Sequence, residues 1–207
     1  NEAGDTATGN HAVQATAANQ PKIVNAGSLV ADSGIDFDGS NFLAATPVSG
    51  LEGSFSMFAT SVRDSGSGYV VSISKSAANN RYFAIQEGGS ASNAVPRNST
   101  SGVSASDSVS GSTRLTFALT TSSTSTSAGA LGSAVTTTTD DYGDNFISNS
   151  GMNQIAIGLL RTVNPTGFFS GRIREILVYT SDQTANRTAL EANIGEAYSI
   201  DLPSGVD

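Results

Sequence analysis

The stretch Phe168-Phe169-Ser170-Gly171-Arg172-Ile173-Arg174-Glu175-Ile176-Leu177-Val178-Tyr179 decides how the rest of the chain is read. Apolar and polar residues alternate along it, the period of a strand with one buried face. The alternation changes phase around Glu175. Ile176 and Val178 share a face, whereas Ile173 falls on the opposite one. A β-bulge near Glu175 would return all three to one side by inserting a single extra residue, and the reading predicts one there. Beyond the strand, Ser181 offers an N-cap and Asp182 a charge suited to the positive end of a helix dipole. Leu190, Ile194 and Ala197 then recur at helical spacing, a narrow apolar stripe that suits docking on a sheet. A helix is expected over about 182–198, with Gly195 weakening it by about 1 kcal/mol relative to Ala.

The same period of two runs upstream. Residues 54–63 read as a strand, 64–68 as a turn, 69–74 as the return strand, and 81–86 as the next after a turn at Ala78-Asn79-Asn80. Together these predict a three-strand meander. Further strands are expected at 113–120, 134–139 and 153–160. Two stretches, 98–112 and 120–139, are dominated by Ser, Thr, Gly and Ala. Thr is β-branched and favours strands, and Leu131 and Val135 punctuate the second stretch, so 120–139 reads as a Thr-rich hairpin. No composition shift divides the chain between 20 and 200. One domain is expected over 1–200, followed by a linker or tail at 201–207 with Pro203 and Gly205.

Composition narrows the chemistry. Of the 207 residues 14% are charged and none is Cys or Trp, which excludes disulfides and Cys-based zinc sites. The single His excludes metal sites needing two imidazoles. A formal charge of −8 argues against nucleic-acid partners. No run approaches the roughly 18–20 apolar residues of a membrane helix, so no membrane insertion is expected. The opening Asn1-Glu2-Ala3-Gly4-Asp5 has neither Met nor an apolar signal region, which points to a chain processed or cut from a longer protein. Low charge with abundant Ser, Thr, Asn and Gly suits an extracellular or virion-surface setting.

The candidate catalytic groups are sparse. His11 has no nucleophile elbow to serve and reads as a surface residue. Glycoside hydrolysis needs two carboxylates about 5–9.5 Å apart, and the one-strand string E-x-D-x-x-E is absent. Glu52, Glu87 and Glu175 stand apart and read as ordinary ion-pair or sheet-edge charges, so no catalytic residue is assigned. The densest acidic stretch is Asp140-Asp141-Tyr142-Gly143-Asp144-Asn145. Asp140, Asp141 and Asp144 supply the oxygen ligands Ca²⁺ takes; a solvated acidic turn is the alternative. Sugar recognition uses aromatic faces and polar groups for hydroxyls. Without Trp, the platforms are tyrosines. Tyr69, Tyr82 and Tyr179 fall in strands and read as core or interface residues. Tyr142 is the loop candidate, with Asp141, Asp144 and Asn145 placed to take hydroxyls.

Several strings, in order, resemble the concanavalin A-like or laminin G-like jelly-roll domains. Gly9-Asn10-His11-Ala12-Val13-Gln14-Ala15-Thr16 with Gln20-Pro21-Lys22-Ile23-Val24 is similar to the segment that opens many of them. Ile35-Asp36-Phe37-Asp38-Gly39-Ser40-Asn41-Phe42-Leu43 resembles their F-D-G-x-x-x-[FY]-L step. Asn153-Gln154-Ile155-Ala156-Ile157-Gly158 resembles their L-x-I-G strand. Phe168–Tyr179 resembles their late F-x-G-x-I-x-E-[IV]-x-[IV]-Y strand, which leads into a short helix. The wording is similar to domains of bacteriophage virion proteins and large bacterial surface proteins. Such domains usually carry a strand upstream of the Gly-Asn-His-Ala segment, which is missing here.

The resemblance implies an all-β, two-sheet antiparallel jelly-roll sandwich with one C-terminal helix. It implies a non-enzymatic module that recognises a glycan or host cell-surface polysaccharide, with Ca²⁺ as an accompanying ion. The alternatives are a structural capsid, fibre or tail domain contacting other copies or chains of its assembly, and, behind it, a glycoside hydrolase.

Overall fold

Val71 and Ile73 alternate with Ser72 and Ser74, and Phe83 and Ile85 with Tyr82 and Ala84. In each long strand this period sorts side chains between an interior and an outer face. The computed structural model describes residues 11–30, 34–45, 51, 53–75, 78, 81–98, 104–121, 125–139 and 152–202. The strands are β1 (Val24–Asn25), β2 (Ser28–Leu29), β3 (Ile35–Asp38), β4 (Leu43–Ala45), β5 (Phe55–Arg63), β6 (Gly68–Ser74) and β7 (Arg81–Glu87). They continue as β8 (Ala91–Asn98), β9 (Ala105–Ser108), β10 (Thr113–Thr121), β11 (Ser125–Ala130), β12 (Thr136–Thr139), β13 (Gln154–Ile157) and β14 (Ser170–Tyr179). Helix α1 (Arg187–Tyr198) follows.

A front sheet of order β12-β11-β10-β5-β14-β3 packs on a back sheet of order β4-β13-β6-β7-β8-β9, and β1-β2 forms a separate small hairpin. The interior between the sheets holds Phe55, Met57, Ile73, Phe83 and Ile85, all wholly buried. Phe55 of the front sheet meets Phe83 of the back sheet edge-on, with ring centroids 5.1 Å apart. Burial of such side chains contributes about 1.5–3 kcal/mol each. The expected sandwich with a single C-terminal helix is what the chain forms.

The phase change in β14 is a bulge. Ile173 pairs with Ser61 and Glu175 with Thr60, which leaves Arg174 as the extra residue. Ile173, Ile176 and Val178 then all pack on the interior. The Thr-rich stretch is also strand, β11 pairing antiparallel with both β10 and β12.

Four expectations need correction. The meander does not begin at residue 54. The edges of β5 are taken by β10 and β14, and those of β6 by β13 and β7, so residues 64–67 pass from one sheet to the other. The meander is β6-β7-β8-β9 instead. The strand expected to reach residue 160 ends at Ile157. Gly158 turns the chain with φ +87°, and a Cβ there would lie 2.4 Å from the Phe37 ring. Third, α1 begins at Arg187 after a 3₁₀ turn at Thr184–Asn186. Ser181 is therefore not its cap. Asp182 accepts hydrogen bonds from the Thr184 N–H (2.8 Å) and hydroxyl (2.6 Å), a local turn that delays the helix.

The buried stripe of α1 differs from the expected one as well. It holds Arg187, Glu191, Ile194 and Gly195, while Ala197 is exposed. Arg187 donates to Glu191 at 2.9 Å and its guanidinium lies 5.2 Å from the Phe117 ring centroid. Gly195 has a packing role that offsets its low propensity. A Cβ there would stand 3.0 Å from Leu202, which folds back on the helix.

The N-terminal segment that resembled a domain opening ties the two sheets together. Val13 donates its N–H to Ala44 of β4 at 2.7 Å, and Lys22 to Asp36 of β3 at 2.9 Å. Both sheet edges on that side are thereby paired over a short stretch.

Candidate functional site

Ser72 and Ser74 of β6 face away from the interior, where their hydroxyls would otherwise lack partners. The returning chain after β13 satisfies them. Ser72 Oγ donates to the Leu159 carbonyl (2.9 Å) and accepts the Arg161 N–H (3.3 Å), and Ser74 Oγ donates to the Arg161 carbonyl. Gln154 Nε2 donates to Ser74 Oγ at 3.1 Å and to the Arg161 carbonyl at 2.8 Å. Residues 158–167 are thus laid across the outside of the back sheet. The loop closes on itself through reciprocal Leu160 and Thr166 backbone bonds of 3.0 and 3.1 Å. Its end is fixed by the Tyr69 N–H donating to the Gly167 carbonyl at 2.9 Å. Gly167 has φ +61°, and a Cβ there would lie 2.6 Å from the Tyr69 ring, so the ring rests on its backbone.

Between this loop and strands β6, β7 and β8 opens a cleft of about 560 Å³. Tyr82 on β7 and Arg97 on β8 are register partners, and so project to the same side. Tyr82, 9% exposed, and Leu160 form the floor. Tyr69, Arg97, Thr162 and Thr166 form the walls. The two tyrosine rings meet edge-on at 6.3 Å. Burial, and then the neighbouring Tyr82 phenol, hold the Tyr69 hydroxyl well above the usual phenol range, while Arg97 pulls the other way. Tyr69 therefore stays a neutral hydrogen-bond donor. Thr162 Oγ1 donates to the Asn164 carbonyl at 3.0 Å and steadies the loop tip beside Pro165. Aromatic carbon, a guanidinium, hydroxyls and an amide converge here, the mixture that orients a small polar ligand.

Asp140, Asp141, Tyr142, Asp144 and Asn145 lie outside the described residues, so the acidic stretch has no geometry to report. Among the described residues, no group of three or more His, Asp or Glu is placed to share a metal ion. No described helix is long and apolar enough to cross a membrane. The sequence reading placed Tyr69 and Tyr82 as core or interface; both line the cleft. It passed over Arg97, Thr162 and Asn164. The available signal was Leu159-Leu160, an apolar pair after a strand, together with two serines facing the same way on β6.

Glu87 is an ion-pair residue, in an extreme setting. Its carboxylate and the Arg114 guanidinium are 3.0 Å apart and wholly buried between the sheets. Thr116 donates to Glu87 Oε1 at 2.9 Å, whereas Oε2 and Arg114 Nε are misaligned for a hydrogen bond. Arg114 instead donates to the carbonyls of Gly88, Gly89 and Gly111. Burial pushes Glu87 up to about 7, against the opposing pull of Thr116, Arg114 and Arg63.

No family model matches the sequence, and no curated protein matches it. Solved structures do resemble it. The CBM40 module of the Ruminococcus gnavus IT-sialidase, bound to α2,3-sialyllactose, superposes with a TM-score of 0.57 at 14% identity, over 70% of this chain and 83% of that one. The botulinum neurotoxin serotype G binding domain gives 0.57 at 10% identity, over 77% of this chain and 42% of its own. Domains LG4-5 of the mouse laminin α1 chain give 0.51 at 15%, over 70% and 40%. Identities this low speak to architecture. Two antiparallel sheets, this strand order and these neighbours together establish the concanavalin A-like, laminin G-like jelly-roll fold for this chain.

Proposed function

We propose that this domain is a non-catalytic glycan-recognition module of an extracellular, cell-surface or virion protein. The observation that carries the reading is the cleft on the back sheet, where Tyr69, Tyr82 and Arg97 converge beneath a loop fastened by Ser72 and Ser74. Aromatic carbon suits the C–H faces of a sugar ring, and hydroxyl and amide groups suit its edges. No Asp or Glu among the described residues lines the cleft, which supports binding rather than glycoside hydrolysis. Several neighbours are glycan-binding by their descriptions, the CBM40 module with α2,6-sialyllactose among them. The acidic stretch is proposed as a second contact, with Tyr142, Asp141, Asp144 and Asn145 meeting sugar and Asp140, Asp141 and Asp144 taking Ca²⁺.

A glycan array with and without EGTA tests both parts. Binding that survives EGTA but falls at least about tenfold in Tyr69→Ala, with folding verified by thermal melt, assigns the cleft. Binding lost in EGTA assigns the acidic stretch. No binding under either condition contradicts the module. The second reading, a structural domain contacting other chains of an assembly, is favoured by one observation. The β1-β2 hairpin displays Ile23 and Leu29 at 62% and 80% exposure, with Val24 beside them. A constitutive oligomer in solution, broken by Leu29→Asp, would favour it.

A further inference from the structure

Several other arginines in the described structure have a carboxylate or carbonyl partner. Arg114 pairs with Glu87, Arg172 with Asp64 and Arg187 with Glu191, and Arg63 donates to the carbonyls of Gly66 and Gly89. Arg97 differs. It is half-buried in the wall of the cleft, and no carboxylate pairs with it among the described residues. Its position is set by the strand ladder, because its register partner is Tyr82, whose ring lies in the floor. A guanidinium beside aromatic surface, in a chain of net charge −8, is an unusual place to leave a positive charge without an acid. The planar fork of arginine matches the two oxygens of a carboxylate, and a low-dielectric wall strengthens that contact.

We propose that Arg97 makes this cleft selective for a saccharide bearing a carboxylate. The acid would sit on the guanidinium, the ring against Tyr69, and the remaining hydroxyls toward Thr162, Asn164 and Thr166. The inference rests on the glycan reading of the cleft and adds the chemical class of its ligand. Two sources supply this chemistry, sialic acids and uronic acids. A neutral sugar uses the same ring contacts and leaves Arg97 without its partner.

The test is titration calorimetry of the domain with 3′-sialyllactose, a trigalacturonate and lactose. At least one acid is expected to bind about ten- to a hundredfold tighter than lactose. Whichever acid prevails identifies the source. The carboxyl methyl ester of that sugar, on unaltered protein, is expected to fall to the level of lactose. Arg97→Gln should bring that acid down to whatever affinity the variant itself shows for lactose, at an unaltered melting temperature, and Arg97→Lys should restore part of the preference. Equal affinities for acid, ester and lactose overturn the carboxylate inference and leave the glycan reading standing. Failure of the acids together with all neutral sugars on the array overturns both.

Discussion

The two outer faces of the sandwich are covered to different extents and by different means. On the front sheet, Phe58, Leu115, Phe117 and Leu119 project outward and are sealed by α1 and the residues after it, notably Ile194 and Ile200. The seal is apolar, and the charges it includes, Arg187 and Glu191, are paired with each other. On the back sheet, Ser72 and Ser74 of β6 face outward along with Tyr69, and what covers the serines is a ten-residue loop held by hydrogen bonds (158–167). Leu160 of that loop also packs on Tyr82, Ala84 and Val95, and the cleft opens beside this small apolar contact. The difference teaches where a jelly roll places stability and where it leaves room for a ligand. One face is closed by an extensive hydrophobic cluster, and the other by a smaller one joined to directional bonds that shape a cleft.

The comparison breaks most readily at Phe117. Its truncation to Ala should cost about 3–5 kcal/mol in denaturant unfolding, since the ring is wholly buried and supports Arg187. The same variant should retain ligand affinity in its folded fraction. A loss below about 1 kcal/mol would mean that the front face is not sealed as described.

The interior between the faces has its own pH signature. Glu87 is pushed up to about 7 from an ordinary 4.5, so the folded state holds a proton that the unfolded chain releases. Its contribution to stability is present below about pH 4.5 and is lost as pH rises through about 7, to the extent of about 3 kcal/mol. Glu191, raised mainly by its burial in the seal, acts in the same direction. Denaturation profiles between about pH 4 and 8 should fall with pH in the native protein and flatten in Glu87→Gln. An unchanged slope in that variant would place the titration elsewhere.

Ser74→Ala should cost about 1–3 kcal/mol by leaving the Arg161 carbonyl and Gln154 with fewer partners. Its distinguishing effect is on binding. Hydrogen exchange of residues 158–167 should quicken and cleft affinity fall, while exchange in α1 stays as before. Uniform quickening across both faces would remove the contrast. The smallest effect is expected at Asp182→Ala, about 0.5–1.5 kcal/mol from the lost turn bonds to Thr184. Cleft affinity should be unaltered, and a binding defect there would show that the two faces are coupled.

These contrasts also explain what could be read from the residues alone. The bulge was legible because Ile173 and Ile176 cannot share a face without it, and a buried face enforces register. The Thr-rich hairpin was legible because β-branched side chains favour strands. The meander was misplaced because a short Gly-Ser turn looks alike whether it joins neighbours in one sheet or crosses between two. Strand neighbours are decided by pairing over long distances, here β5 with β10 and β14. The helix start was misplaced because Asp182 uses its carboxylate on a turn before the helix. The cleft was hidden for the same long-range reason. Tyr69, Tyr82, Arg97 and Thr162 come from three strands and a loop, and each alone reads as an ordinary strand or loop residue. The locally dense Asp140–Asn145 stretch drew the sequence reading instead.

The most direct test of the open back face is a nitrogen–proton correlation spectrum of the domain titrated with 3′-sialyllactose and trigalacturonate. The account predicts saturable shifts confined to Tyr69, Tyr82, Arg97 and residues 160–167, with α1 and the β1-β2 hairpin unmoved. Saturable shifts centred on α1 or on that hairpin, or none at all with either acid, would contradict it.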